Sequence, residues 1–163
     1  MRLVKFATKL LLLFVGAVLG SAVASAVAAA MMRPRLQDST QPEDDDIEVA
    51  SVYGSRVFRS SADAFAGGRV VCWYAGVDVD LRGAHLAPAG ASLEVWTAFG
   101  GTRIRVPEHW DVESHGIAVF GGAANSAARP DATSDAPRLT VRHRTFFGGF
   151  AVAAEPDDEV LAV

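Results

Sequence analysis

The chain has 163 residues, enough for one modest domain, and its formal net charge of −4 argues against the basic surface of a nucleic-acid-binding protein. Its single cysteine, Cys72, excludes an intramolecular disulfide and a zinc site built from several cysteines. Cys72 lies beside Trp73 in an apolar run, which predicts a buried and unreactive thiol.

The N-terminus has the pattern of a membrane segment. A basic flank, residues 1–9, precedes residues 10–32, which contain no charged side chain. As a helix this stretch would be roughly 34 Å long at ~1.5 Å per residue, enough to cross a bilayer. Arg33 and Arg35 follow it, as is typical at a headgroup boundary. We therefore predict a single-pass anchor that binds the membrane through residues 10–32.

A secretory signal peptide is the alternative for the same stretch. Residues 22–24 and 24–26 both have the small-residue pattern of a cleavage site, and cleavage there would leave a secreted or surface structural β-domain. For an uncleaved anchor, basic residues are slightly more numerous before the apolar stretch than after it. This bias weakly favours a β-domain on the outside.

Residues 33–46 are predicted to form an acidic linker. They are rich in Gln, Ser, Thr, Pro and acidic residues, and they end in Asp44–Asp45–Asp46. This composition is typical of a solvated spacer. The acidic run lacks the glycine and the terminal glutamate of a calcium-binding loop.

Residues 47–154 contain a fivefold repeat, followed by a C-terminal tail, residues 155–163. Each copy has an aromatic residue followed closely by glycine, and the spacings between copies are 21, 25, 21 and 27 residues. The longest spacing contains a loop insertion, Ala128 to Pro137. Such a period indicates a repeat architecture. The repeat corners are Tyr53, Gly54, Tyr74, Gly76, Phe99, Gly100, Gly101, Phe120, Gly121, Gly122, Phe147, Gly148 and Gly149.

The corners are predicted to shape the bends between strands. Their aromatic rings would stack inside the array, with Phe99 in the core. The adjacent glycines would allow a positive φ or a close backbone approach. A phosphate-binding loop is excluded, because no copy carries a following Gly-Lys-Ser/Thr and none opens a helical pattern.

Apolar and charged residues alternate after the corners, which predicts strands with one buried face. The predicted inward positions are Phe58 in the first copy, Val77, Val79 and Leu81 in the second, Thr102, Ile104 and Val106 in the third, and Phe150, Val152 and Ala154 in the fifth. The fourth copy is weak, with Ala123, Asn125 and Ala127. Residues of alternating sign occupy the opposite face and are predicted to pair across strands as a charge ladder: Arg59, Asp78, Asp80, Arg103 and Arg105.

The predicted fold is therefore all-β, a short β-solenoid of about five rungs preceded by one transmembrane helix. A β-sandwich made from the same strands is the alternative. The final rung and the tail, residues 155–163, would have to cap an exposed sheet edge.

Four sequence blocks resemble the C-terminal domain of LiaF-type proteins, also called cell-wall-active antibiotic response proteins. The blocks are DDDIEVASVYGSRVFRS, AFAGGRVVCWYAGVDVDLRGAHL, LEVWTAFGGTRIRVPEHWDVE and AVFGG. The resemblance covers Ile47 to Gly122 and continues more loosely to Ala154. It implies a non-enzymatic membrane protein of the bacterial envelope stress response that restrains a sensor kinase. It also implies a cytoplasmic β-domain, in contrast to the charge bias.

Residues 109–115 carry the one candidate metal cluster. On an extended strand His109, Asp111, Glu113 and His115 would share one face, and these side chains are suitable ligands. The same pattern is typical of the solvated face of an ordinary strand, which is the interpretation we favour. We therefore predict no enzymatic activity, no catalytic residue, no metal and no cofactor.

Overall fold

The computed structural model describes residues 40–129 and 137–156, and these residues form an all-β domain without a helix. In chain order the strands are β1 (Asp46–Arg59), β2 (Gly67–Asp80), β3 (Ala91–Ala98), β4 (Gly101–Pro107), β5 (Asp111–Val119), β6 (Gly122–Asn125), β7 (Arg138–Phe146) and β8 (Gly149–Glu155). Every pairing between them is parallel. The β-sandwich alternative is therefore not formed, since that architecture is built from antiparallel strands.

The strands form one sheet that bends at the repeat corners into a nearly closed, barrel-like shape. Its order is β5-β7-β3-β2-β4-β8-β6, with β1 paired to β2. β1 and β2 each bend within a single long strand, whereas the corners at Phe99, Phe120 and Phe147 separate two shorter strands. The domain can therefore be described as five stacked layers: β1, β2, β3–β4, β7–β8 and β5–β6.

The register aligns equivalent positions of the repeat from layer to layer. Val79 pairs with Phe58 on one side and with Ile104 on the other, and Ile104 pairs in turn with Val152. All four side chains are buried. One face of the strands that follow the corners therefore supplies half of the core.

The strands that precede the corners supply the other half of the core. Val70, Val95 and Val141 are fully buried on them, as are Leu93 and Leu139. Buried rings in the loops between layers add to the core, and Phe65 stacks on Trp110 with 6.3 Å between ring centroids. Burial of apolar side chains from the strands before and after the corners is the main source of stability for such a sheet.

The last copy of the repeat does not cap the stack, and the sequence-based prediction that it would is wrong. β7–β8 lies between β3–β4 and β5–β6, so that the fourth copy forms the outermost layer. Burial explains this order. β7–β8 carries Leu139, Val141, Phe150 and Val152, which are all buried and need a layer on both sides. β5–β6 has mostly small or exposed residues and can stand at the edge.

The predicted membrane helix, residues 10–32, lies outside the described residues, as does most of the tail after Pro156. Across residues 40–129 and 137–156, no helix has the length and apolar character required to span a membrane. Of the predicted linker, the part from Thr40 onward is described, and Thr40 contacts β1. Its hydroxyl lies 2.8 Å from the carbonyl oxygen of Glu48.

Candidate functional site

The five corner aromatics form a continuous stack. Neighbouring ring centroids lie 4.6 to 5.4 Å apart, and the order follows the layers rather than the chain. Each of these residues has a positive φ, between 49° and 59°. Such a backbone is unfavourable for residues other than glycine. We call this stack the aromatic ladder: Tyr53, Tyr74, Phe99, Phe147 and Phe120.

The aromatic ladder lies on the outside of the domain, and the prediction that Phe99 is a core ring is wrong. Phe99 is 45% exposed, and Phe120 at the end of the ladder is 77% exposed. The positive φ explains the difference, because it turns the side chain out of the alternation that an extended strand would impose. The rings stack on one another instead of packing into the core.

The corner glycines have two different roles. At Gly100, Gly121 and Gly148 an added Cβ would lie about 2 Å from a carbonyl oxygen of the neighbouring layer, so these positions require glycine for close approach. Gly54 has a positive φ of 108°. At the remaining corner glycines, no atom in the described part of the chain lies closer than 3.9 Å to an added Cβ: Gly76, Gly101, Gly122 and Gly149.

The charged residues predicted as a ladder lie on adjacent strands after the corner. Asp80 pairs with Arg59 on one side and with Arg105 on the other. Its carboxylate lies 3.9 Å from Arg59 and 3.7 Å from Arg105. Asp78 lies opposite Arg103 in the register, and its closest ion pair is with Arg105 at 2.8 Å.

Arg82 was not identified from the sequence, yet it makes the shortest contacts to Asp80. Its guanidinium donates two hydrogen bonds, of 2.8 and 2.7 Å, to the two carboxylate oxygens. These bonds hold the pKa of Asp80 below its ordinary value, despite the opposing effect of burial. The sequence feature that could have identified Arg82 is its position two residues after Asp80, where the chain leaves β2 and turns.

The structure does not assemble the residues proposed as metal ligands. Asp111 and Glu113 both contact Arg138, at 2.6 and 3.4 Å, and His115 contacts Glu113 at 2.9 Å. His109 lies in the turn before β5. Within the described part of the chain, no three His, Cys, Asp or Glu side chains are grouped so that they could hold a metal ion.

Cys72 is buried, as the sequence predicted, and its sulfur lies 3.0 Å from the carbonyl oxygen of Ala75. Burial raises the pKa of this thiol, with hydrogen bonds acting in the opposite direction. A buried thiol that remains protonated is a poor nucleophile.

His143 is an unusual core residue. It occupies the inner face of β7, where it pairs with Val95 in the next layer, and its ring stacks on Phe150 at 4.4 Å. Its Nδ1 and the hydroxyl of Thr145 are the buried side-chain polar atoms without a hydrogen-bond partner among the described residues. Burial lowers the pKa of His143 below its ordinary value.

We expect His143 to make the fold less stable in mild acid. The unfolded chain takes up a proton near the ordinary histidine pKa of ~6.5, whereas the folded chain resists protonation until a lower pH. The free energy of unfolding should therefore fall as the pH decreases through the ordinary histidine pKa of ~6.5 and should keep falling until the folded chain is also protonated. His143→Val, which continues the column of Val95, should reduce this dependence in chemical denaturation. His109→Gln removes an exposed histidine and should retain it.

The outer face of the strands before the corners carries a second set of aromatic residues. In the register, Trp73, Ala98 and Phe146 lie side by side on β2, β3 and β7. Two positions earlier, Trp96 lies between Val71 and Arg144. We call Val71, Trp73, Trp96, Ala98 and Phe146 the aromatic face. It borders the aromatic ladder.

The small side chain of Ala98 leaves a groove in the aromatic face between Trp73 and Phe146. The groove has a volume of about 530 Å³ and also contacts Trp96. Seven of the eight large hydrophobic residues that are exposed in the described part of the chain lie on this side, along the aromatic face, the ladder or the adjoining part of β5, with Val57 as the exception. An apolar surface of this continuity is typical of a binding site.

Charged residues line the far side of the aromatic face. Glu94 lies 3.2 Å from both Arg69 and Arg144, and the Arg144 guanidinium lies 4.6 Å from the centre of the Trp96 ring. A hydrogen bond from Trp96, together with the two arginines, holds the pKa of Glu94 below its ordinary value. The groove therefore combines apolar walls with a charged, ion-paired rim.

The aromatic face was not identified from the sequence. The signal that could have found it is the alternation before each corner: Trp73 and Phe146 directly precede corner aromatics, and Trp96 precedes Phe99 by three positions. In the second to fifth copies, residues one and three positions before the corner lie on the outer face of the sheet.

Comparison of the chain with known protein families, curated proteins and solved structures found no match.

Proposed function

We propose that this chain is a non-enzymatic, membrane-anchored interaction module of the bacterial cell-envelope stress response. In this proposal residues 10–32 anchor a short five-rung β-solenoid, and the solenoid binds a sensor kinase or another envelope protein. The observation that carries the proposal is the exposed aromatic face. Contiguous apolar surface of this kind is uncommon on soluble monomers and marks sites of interaction.

The residue chemistry of the aromatic face favours a protein partner. Trp and Arg are enriched at the energetically dominant positions of protein interfaces, and here Trp73, Trp96 and Arg144 lie around one groove. The parallel pairing of β2, β3 and β7 holds the backbone around the groove in place. Binding a partner should therefore cost little conformational entropy.

The resemblance to LiaF-type proteins supplies the biological context of the proposal. The VDVDLRGA block covers the end of β2 and the turn after it, and the IRVPEHWDV block runs from β4 into β5. Both blocks carry residues that build the stack, including Asp80, Arg82 and Arg105. The resemblance therefore supports the proposed architecture more directly than it supports a particular partner.

Replacing both tryptophans of the groove should strongly reduce partner binding. We expect the full-length Trp73→Ser/Trp96→Ser variant, tagged and purified from membranes, to retain about tenfold less of a sensor kinase or other envelope protein than the wild type. The expected loss is large because aromatic anchors at an interface commonly contribute ~2 kcal/mol or more. Quantitative mass spectrometry of the co-purified proteins measures it.

Val57→Ser is the matched control, since Val57 is an exposed hydrophobic residue away from the aromatic face. It should retain the partner at the wild-type level, and thermal unfolding of each variant checks the fold. Equal recovery with the double tryptophan variant would contradict the proposed role of the groove.

N-terminal sequencing of the mature protein tests the anchor, because a chain that starts at Ser25 or Val27 would support the secreted structural β-domain instead.

A further inference from the structure

Among the residues that the structure describes, no strand pairs with the outer edge of β5. β5 stands at the end of the sheet order and pairs only with β7 among the described strands. The N–H of Phe147 donates to the carbonyl oxygen of Val119, at 2.9 Å, so Val119 faces β7. Because the backbone groups of a strand alternate in direction, those of Ser114 and Ala118 point away from the sheet.

A short cap covers only the beginning of this edge. The Val112 N–H donates to the carbonyl oxygen of Ala127 at 3.3 Å, and the Asn125 amide donates to the carbonyl oxygen of Val112 at 2.9 Å. The part of β5 closer to the corner, from Ser114 to Val119, has no corresponding cover from the described residues. That segment is long enough to pair with one additional short strand.

The opposite end of the stack is protected. On β1 the Thr40 hydroxyl accepts a hydrogen bond from the Glu48 N–H, at 2.7 Å, and donates one to its carbonyl oxygen. The Arg56 guanidinium donates to the carbonyl oxygen of Ala50 at 3.1 Å. These contacts occupy backbone groups that a further strand would need, so the two ends differ in their capacity to pair.

The open edge also lacks the usual protection by charge. Soluble proteins commonly place lysine, other charged residues or proline on exposed edge strands. Within the open segment, residues 114–119 contain no lysine, arginine, aspartate, glutamate or proline, and His115 is the one titratable residue. Ile117 is 55% exposed, and Phe120 at the corner is the last ring of the aromatic ladder, with stacking on one side from Phe147. An open edge with so few charged side chains is suited to pairing with another strand.

We propose that the β5 edge of one copy of this chain pairs antiparallel with the β5 edge of a second copy, forming a two-fold symmetric dimer. A head-to-tail stack would have to use β1, whose edge is occupied by Thr40 and Arg56. A two-fold pair uses the same open edge twice and closes on itself.

The residues of β5 are compatible with such self-pairing. With the two-fold axis at Gly116, Ile117 of one copy lies opposite His115 of the other. Val119 then lies opposite Glu113. No two like charges face each other across the axis, so the pairing carries no direct repulsion. This inference is independent of the proposed function, because the dimer uses the edge of β5 and leaves the Trp73 groove open.

A charge placed on the open edge should dissociate the dimer. We expect full-length Ile117→Lys, in detergent micelles, to dimerise at least tenfold more weakly than the wild type in sedimentation equilibrium. Val57→Lys makes the same change at an exposed position on β1 and should dimerise like the wild type. A contribution of the N-terminal segment to association would be common to all three proteins. Thermal unfolding confirms that both variants are folded.

Cysteine pairing tests the antiparallel arrangement. A mixture of His115→Cys and Ile117→Cys chains should form a disulfide-linked heterodimer under mild oxidation, because the two positions lie opposite each other across the axis. Val57→Cys mixed with either chain should not. A monomeric wild type at high micromolar concentration, unchanged dimerisation of Ile117→Lys, or failure of the mixed chains to crosslink would overturn the proposal. Capture of another protein's strand by a chain that does not self-associate would also overturn it.

Discussion

Gly148→Ala is expected to destabilise the protein by about 2–4 kcal/mol, because the new methyl group would have no room at the corner. An added Cβ at Gly148 would lie 2.1 Å from the carbonyl oxygen of Gly100 in the neighbouring layer. The same carbonyl accepts a hydrogen bond from the N–H of Gly149 at 3.0 Å. Relieving the clash would separate two layers in the middle of the stack.

Gly149→Ala provides a control within the same corner. No atom of the described residues lies within 4 Å of a Cβ at this position, so the substitution should change the free energy of unfolding by less than about 1 kcal/mol. Urea denaturation of the two variants measures the difference. Equal stability of the Gly148 and Gly149 variants would show that the layers are not packed as closely at the corner as the structure describes.

Asp80→Ala is expected to cost about 3 kcal/mol, because it removes the carboxylate around which three arginines gather. The Asp80 side chain is only 4% exposed, and Arg82, its closest partner, is 9% exposed. Arg82 also donates to the carbonyl oxygen of Pro156. The variant should therefore loosen the attachment of the chain after β8 as well as destabilise the fold.

Asp78→Ala is the matched control for Asp80. Asp78 has a side chain that is 26% exposed, and its closest ion pair is with Arg105, so its removal should cost about 1 kcal/mol or less. The Asp80 contribution also has a defined pH dependence. Because folding lowers the pKa of Asp80, the ionised carboxylate stabilises the fold above the ordinary Asp pKa of ~3.9. This stabilisation is lost as the pH falls further.

Denaturation across a pH series checks this sign. The difference in stability between the wild type and Asp80→Ala should be constant from about pH 7 to about pH 5 and should narrow below that. A difference that grows in acid would contradict the assignment of Asp80 as the charged centre of the cluster.

The positions of the bends and of the buried strand faces after them could be predicted from the sequence. Each corner is a local pattern, an aromatic residue followed by glycine, and strand alternation counts reliably from it. This places Val79, Ile104 and Val152 on the buried face and puts Asp80 opposite Arg105. These features depend only on residues within one copy of the repeat and on the assumption that copies stack in register.

The direction of the corner rings could not be predicted in this way. Phe99 is an apolar aromatic residue of the kind usually found in a core. Its positive φ turns the ring outward, where it stacks on Tyr74 and Phe147 instead of packing into the core. The energy of that stack depends on residues that lie 25 and 48 positions away in the sequence. Local propensity alone favours the opposite arrangement.

The order of the layers was also decided by the tertiary structure. The sequence establishes five copies, a loop between the fourth and fifth, and a weak fourth copy. The sequence does not show that the fifth copy lies between the third and the fourth in the sheet. That arrangement follows from the burial of whole layers, because the more apolar β7–β8 must be covered on both sides while β5–β6 need not be. A repeat pattern is local, whereas the choice of neighbours is a property of the complete core.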